Sequence, residues 1–136
     1  MDKTRISWEK YPYTGRAAEV EFYKLDENTI DKYVPEGVMP GNYRIGRLKD
    51  GEFTIIYVGR VDHRQDEGLR DRLKEHIGEW SGDLWFDWAR AKDVKAAYEQ
   101  ECTDFHLWGE AKHLENDKHP RKPDGKTGLN CPICGE

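Results

Sequence analysis

The segment that most constrains the fold is residues 43–58, which read as two strands joined by a tight turn. Residues 53–58 (FTIIYV) are rich in β-branched and aromatic side chains, which favour strands. Residues 43–48 (YRIGRL) are a second strand candidate, and the Asp50-Gly51 pair between them is typical of a hairpin turn. The chain is therefore expected to build a sheet around an antiparallel hairpin.

The residues after this hairpin predict a helix, a strand and a second helix. Apolar residues recur every four positions in residues 68–77 (GLRDRLKEHI), as in an amphipathic helix that follows the polar loop 62–67. Residues 84–89 (LWFDWA) predict a third strand, and Asp93 is a suitable N-cap for a helix over residues 94–108. This order indicates an α+β fold with a small three-stranded antiparallel or mixed sheet flanked by helices.

The remaining residues divide the chain into three parts. Residues 1–34 are interpreted as an N-terminal extension, within which the alternating residues 19–25 could form a strand. Residues 35–116 form the predicted domain. Residues 117–136 are a loop-rich tail with proline and glycine between positions 120 and 128.

The composition limits where the protein is expected to act and what it is expected to bind. No apolar run approaches the length of a membrane span, so no membrane partner is expected. Three cysteines cannot all pair within one chain, and a reducing cytoplasm is the simpler interpretation. The net charge of −5 argues against a nucleic-acid binder, but residues 41–76 carry eight Lys or Arg against seven Asp or Glu.

Several short motifs of glycine, tyrosine and polar residues follow one another along the chain in a fixed order. Two tyrosines each have a glycine two residues away, an arginine precedes a histidine by four residues, and a glutamate and an asparagine come later. They are Gly41-Asn42-Tyr43, Tyr57-Val58-Gly59, Arg72 with His76, Glu101, and Asn116. Together they resemble the GIY-YIG nuclease family across residues 35–116, although Asn42 stands where Ile or Val is usual in that family.

The resemblance implies a metal-dependent endonuclease that acts on nucleic acid, with DNA as the expected substrate. Tyr43 is implied as the base that activates water, with Tyr57 or His76 assisting it. The expected roles of the other residues are electrophile for Arg72, Mg²⁺ ligand for Glu101, and substrate binding for Gly59, Arg60, Arg70 and Asn116.

The chemistry of phosphodiester hydrolysis suits these residue types. The transition state gains negative charge on the non-bridging oxygens, and an arginine offers a permanently charged fork for them. A divalent cation held by one carboxylate keeps most of its water and can stabilise the leaving oxygen. A tyrosine is a poor base at neutral pH unless positive charge lies nearby.

Two of the assignments have neighbouring competitors. Arg70 competes with Arg72, which is preferred because it lies four residues before His76. Glu99 competes with Glu101, which is preferred because a small residue, Ala97, precedes it by four and an apolar residue, Phe105, follows it by four, as is common in the family.

The cysteines predict a structural zinc site. Cys131-Pro132-Ile133-Cys134 has the spacing of a zinc knuckle, and Cys102 and His106 are four residues apart on the predicted helix. These four ligands would form a closed Cys₃His site. His113 and His119 are alternative fourth ligands.

Two other functional classes remain open. A non-catalytic nucleic-acid-binding or protein-binding module on the same fold, stabilised by zinc, would agree with the acidic charge. A zinc-stapled interaction module with chance motif matches would instead leave Tyr43, Tyr57, Arg72 and Glu101 scattered in space.

Overall fold

Five strands of one antiparallel sheet organise the part of the chain that the computed structural model describes, residues 1–62, 68–123 and 128–136. The strands are β1 (Lys3–Trp8), β2 (Ala18–Lys24), β3 (Gly41–Lys49), β4 (Glu52–Val61) and β5 (Asp83–Arg90). Their order in the sheet is β1-β2-β5-β3-β4. Within the same ranges the helices are α1 (Glu27–Tyr33), α2 (Leu69–Glu75), α3 (Val94–Leu107) and α4 (Glu110–His113).

The predicted α+β class is confirmed, but the predicted three-stranded sheet is wrong. The N-terminal residues add β1 and β2, and β2 extends the sheet by pairing Tyr23 with Phe86 and Lys24 with Trp85 of β5. In β1, exposed polar residues alternate with half-buried ones and only Ile6 and Trp8 are large and apolar, so the strand pattern is weak in the sequence.

The central hairpin forms as its sequence predicts. Asp50 and Gly51 both have positive φ, 52° and 80°, which is the geometry that a two-residue turn of this type requires. Across the hairpin Tyr43 pairs with Gly59 and Ile45 with Tyr57, and a register shift follows between Ile45 and Gly46. Tyr43 and Tyr57 are therefore diagonal neighbours on one face and do not lie directly opposite each other.

The helices cover the two faces of the sheet. On one face, Ile30 of α1 and Leu69 and Leu73 of α2 belong to a buried cluster that includes Tyr43 and Ile45 of β3. On the other face, Phe105 of α3 packs in a second cluster with Val58 of β4 and Trp85 of β5. The two layers place α2 and α3 on either side of β4, the edge strand.

The start of α3 agrees with the N-cap predicted from the sequence. Asp93 caps α3 by accepting a hydrogen bond from the Ala96 backbone N–H at 2.7 Å. Residues 63–67 of the predicted polar loop and residues 124–127 of the tail lie outside the described residues. Within the described ranges, no helix has both the length and the apolar character that a bilayer span needs.

Candidate functional site

The two glycine-bracketed tyrosines lie on one face of the sheet, and Tyr57 is half-buried there. Tyr43 is almost fully buried on β3, and a Cβ at position 59 would lie 2.3 Å from its ring carbon Cζ. Gly59 is therefore needed because the Tyr43 ring crosses the backbone of β4 at this point. This packing explains the glycine, and its predicted contact with substrate stays a prediction.

Tyr43 has polar partners at its hydroxyl group. Its Oη lies 2.8 Å from Nε2 of His76, and the Arg72 side chain also hydrogen-bonds to it. Burial raises the pKa of Tyr43 well above its ordinary value, and the Arg72 charge opposes this rise. The hydroxyl is thus protonated at rest and lies between a cation and an imidazole.

Tyr57 and His76 form an aromatic wall with Trp80. The Tyr57 and His76 ring centroids are 4.7 Å apart, and the His76 and Trp80 rings stack at 5.1 Å with an 18° angle between their planes. Burial lowers the pKa of His76, although Glu79 raises it through a hydrogen bond to Nδ1 at 2.6 Å. His76 is therefore a neutral proton acceptor at pH 7.

Glu101 projects from α3 towards the edge strand. Arg60 of β4 donates hydrogen bonds to Glu101 and to Asp62, the latter at 3.0 Å. Burial raises the pKa of Glu101, Arg60 opposes this, and Asp62 adds to the rise. Arg60 thus holds these two carboxyl groups and also lines the hollow that contains Arg72, so its predicted role in substrate binding stays a prediction.

Tyr43 and His76 are buried, but Tyr57, Arg72 and Glu101 reach a cleft made of two adjoining hollows. Arg72 from α2 and Glu101 from α3 line it together, and an adjoining hollow that also contains Glu101 is lined by Tyr57, Glu79 and Trp80. The first hollow contains four basic and two acidic side chains, which are Arg60, Arg72, Arg121, Lys122, Asp62 and Glu101. The first hollow therefore has a small excess of positive charge, which suits an anionic ligand, whereas acidic side chains outnumber basic ones in the adjoining hollow.

Arg70 is not part of the cleft chemistry. Its guanidinium donates to the backbone oxygens of Val34, at 2.9 Å, and Asp31, at 3.1 Å. These contacts fasten α2 to α1 and give Arg70 a structural role, and its predicted role in substrate binding stays a prediction.

Asn116 uses its side-chain amide on the outer edge of β4. Its Oδ1 accepts from the Val58 N–H at 3.0 Å, and its Nδ2 donates to the Val58 carbonyl at 2.8 Å. The amide therefore completes the strand edge and fixes the following residues beside the cleft, where His119 and Arg121 lie.

A group of four possible metal ligands lies at the end of α3. The ligand atoms of His106, His119, Cys131 and Cys134 all lie within 4.8 Å of one another, so the group could hold a metal ion. Backbone N–H groups of Ile133 and Cys134 point at Cys131 Sγ from 3.4 and 3.5 Å, as in a zinc knuckle. Burial alone would raise the pKa of Cys131, but these N–H groups and His119 lower it to about 6.

The two histidines of this group are both oriented for a metal. Nδ1 of His106 lies 2.5 Å from the Glu110 carboxylate, and Nδ1 of His119 lies 3.0 Å from the Pro120 carbonyl. Both partners only accept hydrogen bonds, so each Nδ1 carries a hydrogen, and in the neutral ring the lone pair is then on Nε2. Nε2 of His119 lies 3.5 Å from Cys134 Sγ. His106 Nε2 is buried and has no hydrogen-bond partner among the described residues, which a metal ion would supply.

Cys102 is not a member of this ligand group, and His119 stands in its place. Cys102 is fully buried with Tyr98 and Cys131 in a small apolar cluster. Burial raises the pKa of the Cys102 thiol to about 12. The spacing of four residues to His106 is correct for one helix face, but Cys102 lies one turn deeper in the core.

Comparison with known proteins does not assign this chain to a family. No model of a protein family matches it, and neither the curated proteins nor the solved structures contain a significant match.

Proposed function

We propose that this protein is a metal-dependent endonuclease that hydrolyses phosphodiester bonds, with DNA as the first candidate substrate. The observation that carries the proposal is that Arg72 and Glu101, from two different helices, line one cleft beside the Tyr43 hydroxyl. A chance motif match would be expected to scatter these side chains.

Tyr43 moves the proton in the proposed reaction. Its Oη gives its proton to Nε2 of His76, at 2.8 Å, and takes one from the attacking water. The water oxygen then bonds to phosphorus while the bond from phosphorus to the leaving sugar oxygen breaks. The leaving oxygen takes a proton from solvent, so the products are one hydroxyl and one phosphate monoester.

Arg72 stabilises the charge that develops on the phosphorus oxygens. It hydrogen-bonds to Tyr43 at rest, so its guanidinium lies where the phosphate and the base must meet. The same charge favours the phenolate form of Tyr43 during the proton transfer.

Glu101 is the proposed ligand of a divalent cation such as Mg²⁺. A carboxylate that shares its cleft with Asp62 offers the hard oxygen ligands that Mg²⁺ prefers, and the cation would stabilise charge on the leaving oxygen. Glu101 and Asp62 fit a divalent cation because both offer carboxylate oxygens. In the absence of a cation, Arg60 balances their negative charge.

The direct test is incubation of the purified protein with supercoiled plasmid in the presence and absence of Mg²⁺. Wild-type protein should nick or cut the plasmid only with the cation, and Glu101→Ala should not. Supercoiled plasmid that stays intact with the wild-type protein across Mg²⁺ and Mn²⁺ concentrations would contradict the proposal.

A second candidate is a nucleic-acid-binding module that does not cut. The ion pair between Arg60 and Glu101 favours it, because Arg60 occupies one oxygen of the only carboxylate assigned to the cation. In that case the plasmid would be bound at low salt and stay intact, and Arg72→Ala would weaken binding without a change in product.

We also propose that His106, His119, Cys131 and Cys134 bind a structural Zn²⁺ ion. Two thiolates and two imidazoles suit zinc in a closed tetrahedral site. The ion would tie the tail to α3 and to the segment that carries His119 along the cleft. Elemental analysis of protein purified without added metal should find about one zinc per chain.

A further inference from the structure

We infer that Glu79 is a positioning residue that fixes His76 in the tautomer and orientation needed to accept the proton of Tyr43. The inference rests on the proposed nuclease function, and it assigns a residue for which the sequence pattern gives no signal. Glu79 does not touch the reacting atoms itself, and it acts through the His76 ring.

A tight turn at the end of α2 brings Glu79 against His76. His76 ends the helix, Gly78 adopts a positive φ of 81°, and the Glu79 N–H donates to the His76 carbonyl at 3.1 Å. The turn places the Glu79 carboxylate Oε2 at 2.6 Å from His76 Nδ1.

This contact decides which ring nitrogen carries the hydrogen. A carboxylate can only accept a hydrogen bond, so Nδ1 of His76 must be the donor. In the neutral imidazole the lone pair is then on Nε2, which faces the Tyr43 hydroxyl at 2.8 Å. The Tyr43 hydroxyl must therefore donate to His76, and its own lone pairs remain available to Arg72 and to water.

The surroundings of His76 leave Glu79 as the one carboxylate in contact with it among the described residues. The ring is held between Trp80, stacked at 5.1 Å, and Tyr57, at 4.7 Å, and neither competes for Nδ1. The charged and titratable groups that act on His76, from α2, the turn, β3 and β4, are Arg72, Glu79, Tyr43 and Tyr57.

The carboxylate also supports the ring when it becomes charged. Burial disfavours the imidazolium that forms when Tyr43 transfers its proton, and Glu79 opposes this by raising the pKa of His76. The Glu79 side chain is 47% exposed, so solvent screens part of this interaction. We therefore expect a modest electrostatic effect together with a strict orientational one.

The test compares wild-type protein, Glu79→Gln and the matched control Glu75→Gln, which removes the same charge one turn earlier on an exposed position. Two readouts are measured: the tautomer and pKa of His76 by ¹⁵N NMR, assigned with His76→Gln, and the pH–rate profile of plasmid cleavage. In Glu79→Gln the Nδ1–H tautomer should lose its dominance and the pKa of His76 should fall. The plateau rate should fall about tenfold, with its ascending limb at lower pH.

The two readouts separate the inference from the proposed function. An unchanged tautomer and pKa in Glu79→Gln, or a cleavage profile that matches that of Glu75→Gln, would overturn the role of Glu79. If the wild-type protein cuts no nucleic acid but the tautomer changes as expected, the nuclease function fails and the positioning of His76 by Glu79 stands.

Discussion

The Tyr43 ring lies across Gly59, its cross-strand partner, with no room for a side chain between them. A Cβ at position 59 would lie 2.4 Å from the Tyr43 hydroxyl oxygen and 2.3 Å from Cζ. The glycine in the second of the two motif triplets is thus explained by the tyrosine in the first. The pair couples the strand register to the position of the proposed base.

Gly59→Ala should therefore displace the Tyr43 hydroxyl from His76 and Arg72. We expect overpacking to cost about 1–3 kcal/mol of stability and the cleavage rate to fall at least tenfold at a temperature where the variant stays folded. Gly46→Ala is the matched control, because a Cβ there would lie 2.1 Å from the Phe53 ring in the same hairpin. Urea unfolding measures the stability of both variants, and plasmid assays measure their activity. An equal loss of activity in Gly59→Ala and Gly46→Ala would contradict the argument.

Glu101 and Glu99 should differ sharply in their effect on cleavage. Glu101 is buried and lines the cleft, whereas Glu99 is half-buried on α3 and its backbone carbonyl accepts the Thr103 hydroxyl at 2.9 Å. We expect Glu101→Gln to lower the rate by about a hundredfold or more and Glu99→Gln to change it less than twofold. Cleavage rates measured at saturating Mg²⁺ test this prediction. An equal loss of rate in both variants would show that Glu101 is wrongly assigned as the residue of α3 that faces the site.

The sequence predicts the parts of the fold in which local chemistry is strong. The Asp50-Gly51 turn and the Asp93 cap each act within a few residues, and each appears where expected. The apolar repeat of α2 appears only in part, because the helix ends at Glu75 and the third apolar residue of the repeat, Ile77, is 41% exposed. By contrast, β1 has two large apolar residues and gains its stability from pairing with β2, a long-range contact that no local pattern indicates.

The site is predictable in its residue types and less so in its contacts. The sequence does not indicate that Arg60 pairs with Glu101 or that Arg70 fastens two helices, because each guanidinium bonds to the acceptors that the fold brings near. Cys102 and His119 exchange roles for a related reason. Cys102 and His106 share a helix face, but the helical spacing of four residues carries no information about which ligands the tail and the His119 segment bring to that face.

Asp104 should make the stability of the protein fall as pH rises. It is 2% exposed on α3, and burial raises its pKa to about 8. An unfolded aspartate titrates near about pH 3.9, so between roughly pH 4 and pH 8 the folded protein holds a proton that the unfolded chain has released. The free energy of unfolding should decrease across this window, by at most about 1.4 kcal/mol per pH unit from this group.

Asp104→Asn should remove this slope, because an asparagine stays neutral and can keep a hydrogen bond to Gln100. Urea unfolding at pH 5 and pH 8 should show the variant less sensitive to pH than the wild type, with Asp71→Asn on the exposed side of α2 as the control. A wild-type difference between the two pH values that persists in Asp104→Asn would assign the titration to another group.

The ligand set of the proposed zinc site can be tested by replacing His119 and Cys102 separately, because the structure places His119 in the ligand group and the sequence predicts Cys102 there. His119→Ala should lower the zinc content below about half an equivalent and lower the thermal midpoint, because it removes one of four ligands whose binding is coupled to folding. Cys102→Ala should keep about one equivalent of zinc, because Cys102 lies outside the ligand group. His113→Ala is the control for removing a histidine from the same part of the chain.

Elemental analysis measures the zinc content, and thermal melts with and without chelator measure the contribution of the metal to stability. A chelator should lower the thermal midpoint of Cys102→Ala but not that of His119→Ala. Loss of zinc from Cys102→Ala with retention in His119→Ala would restore the Cys₃His site that the helical spacing predicts.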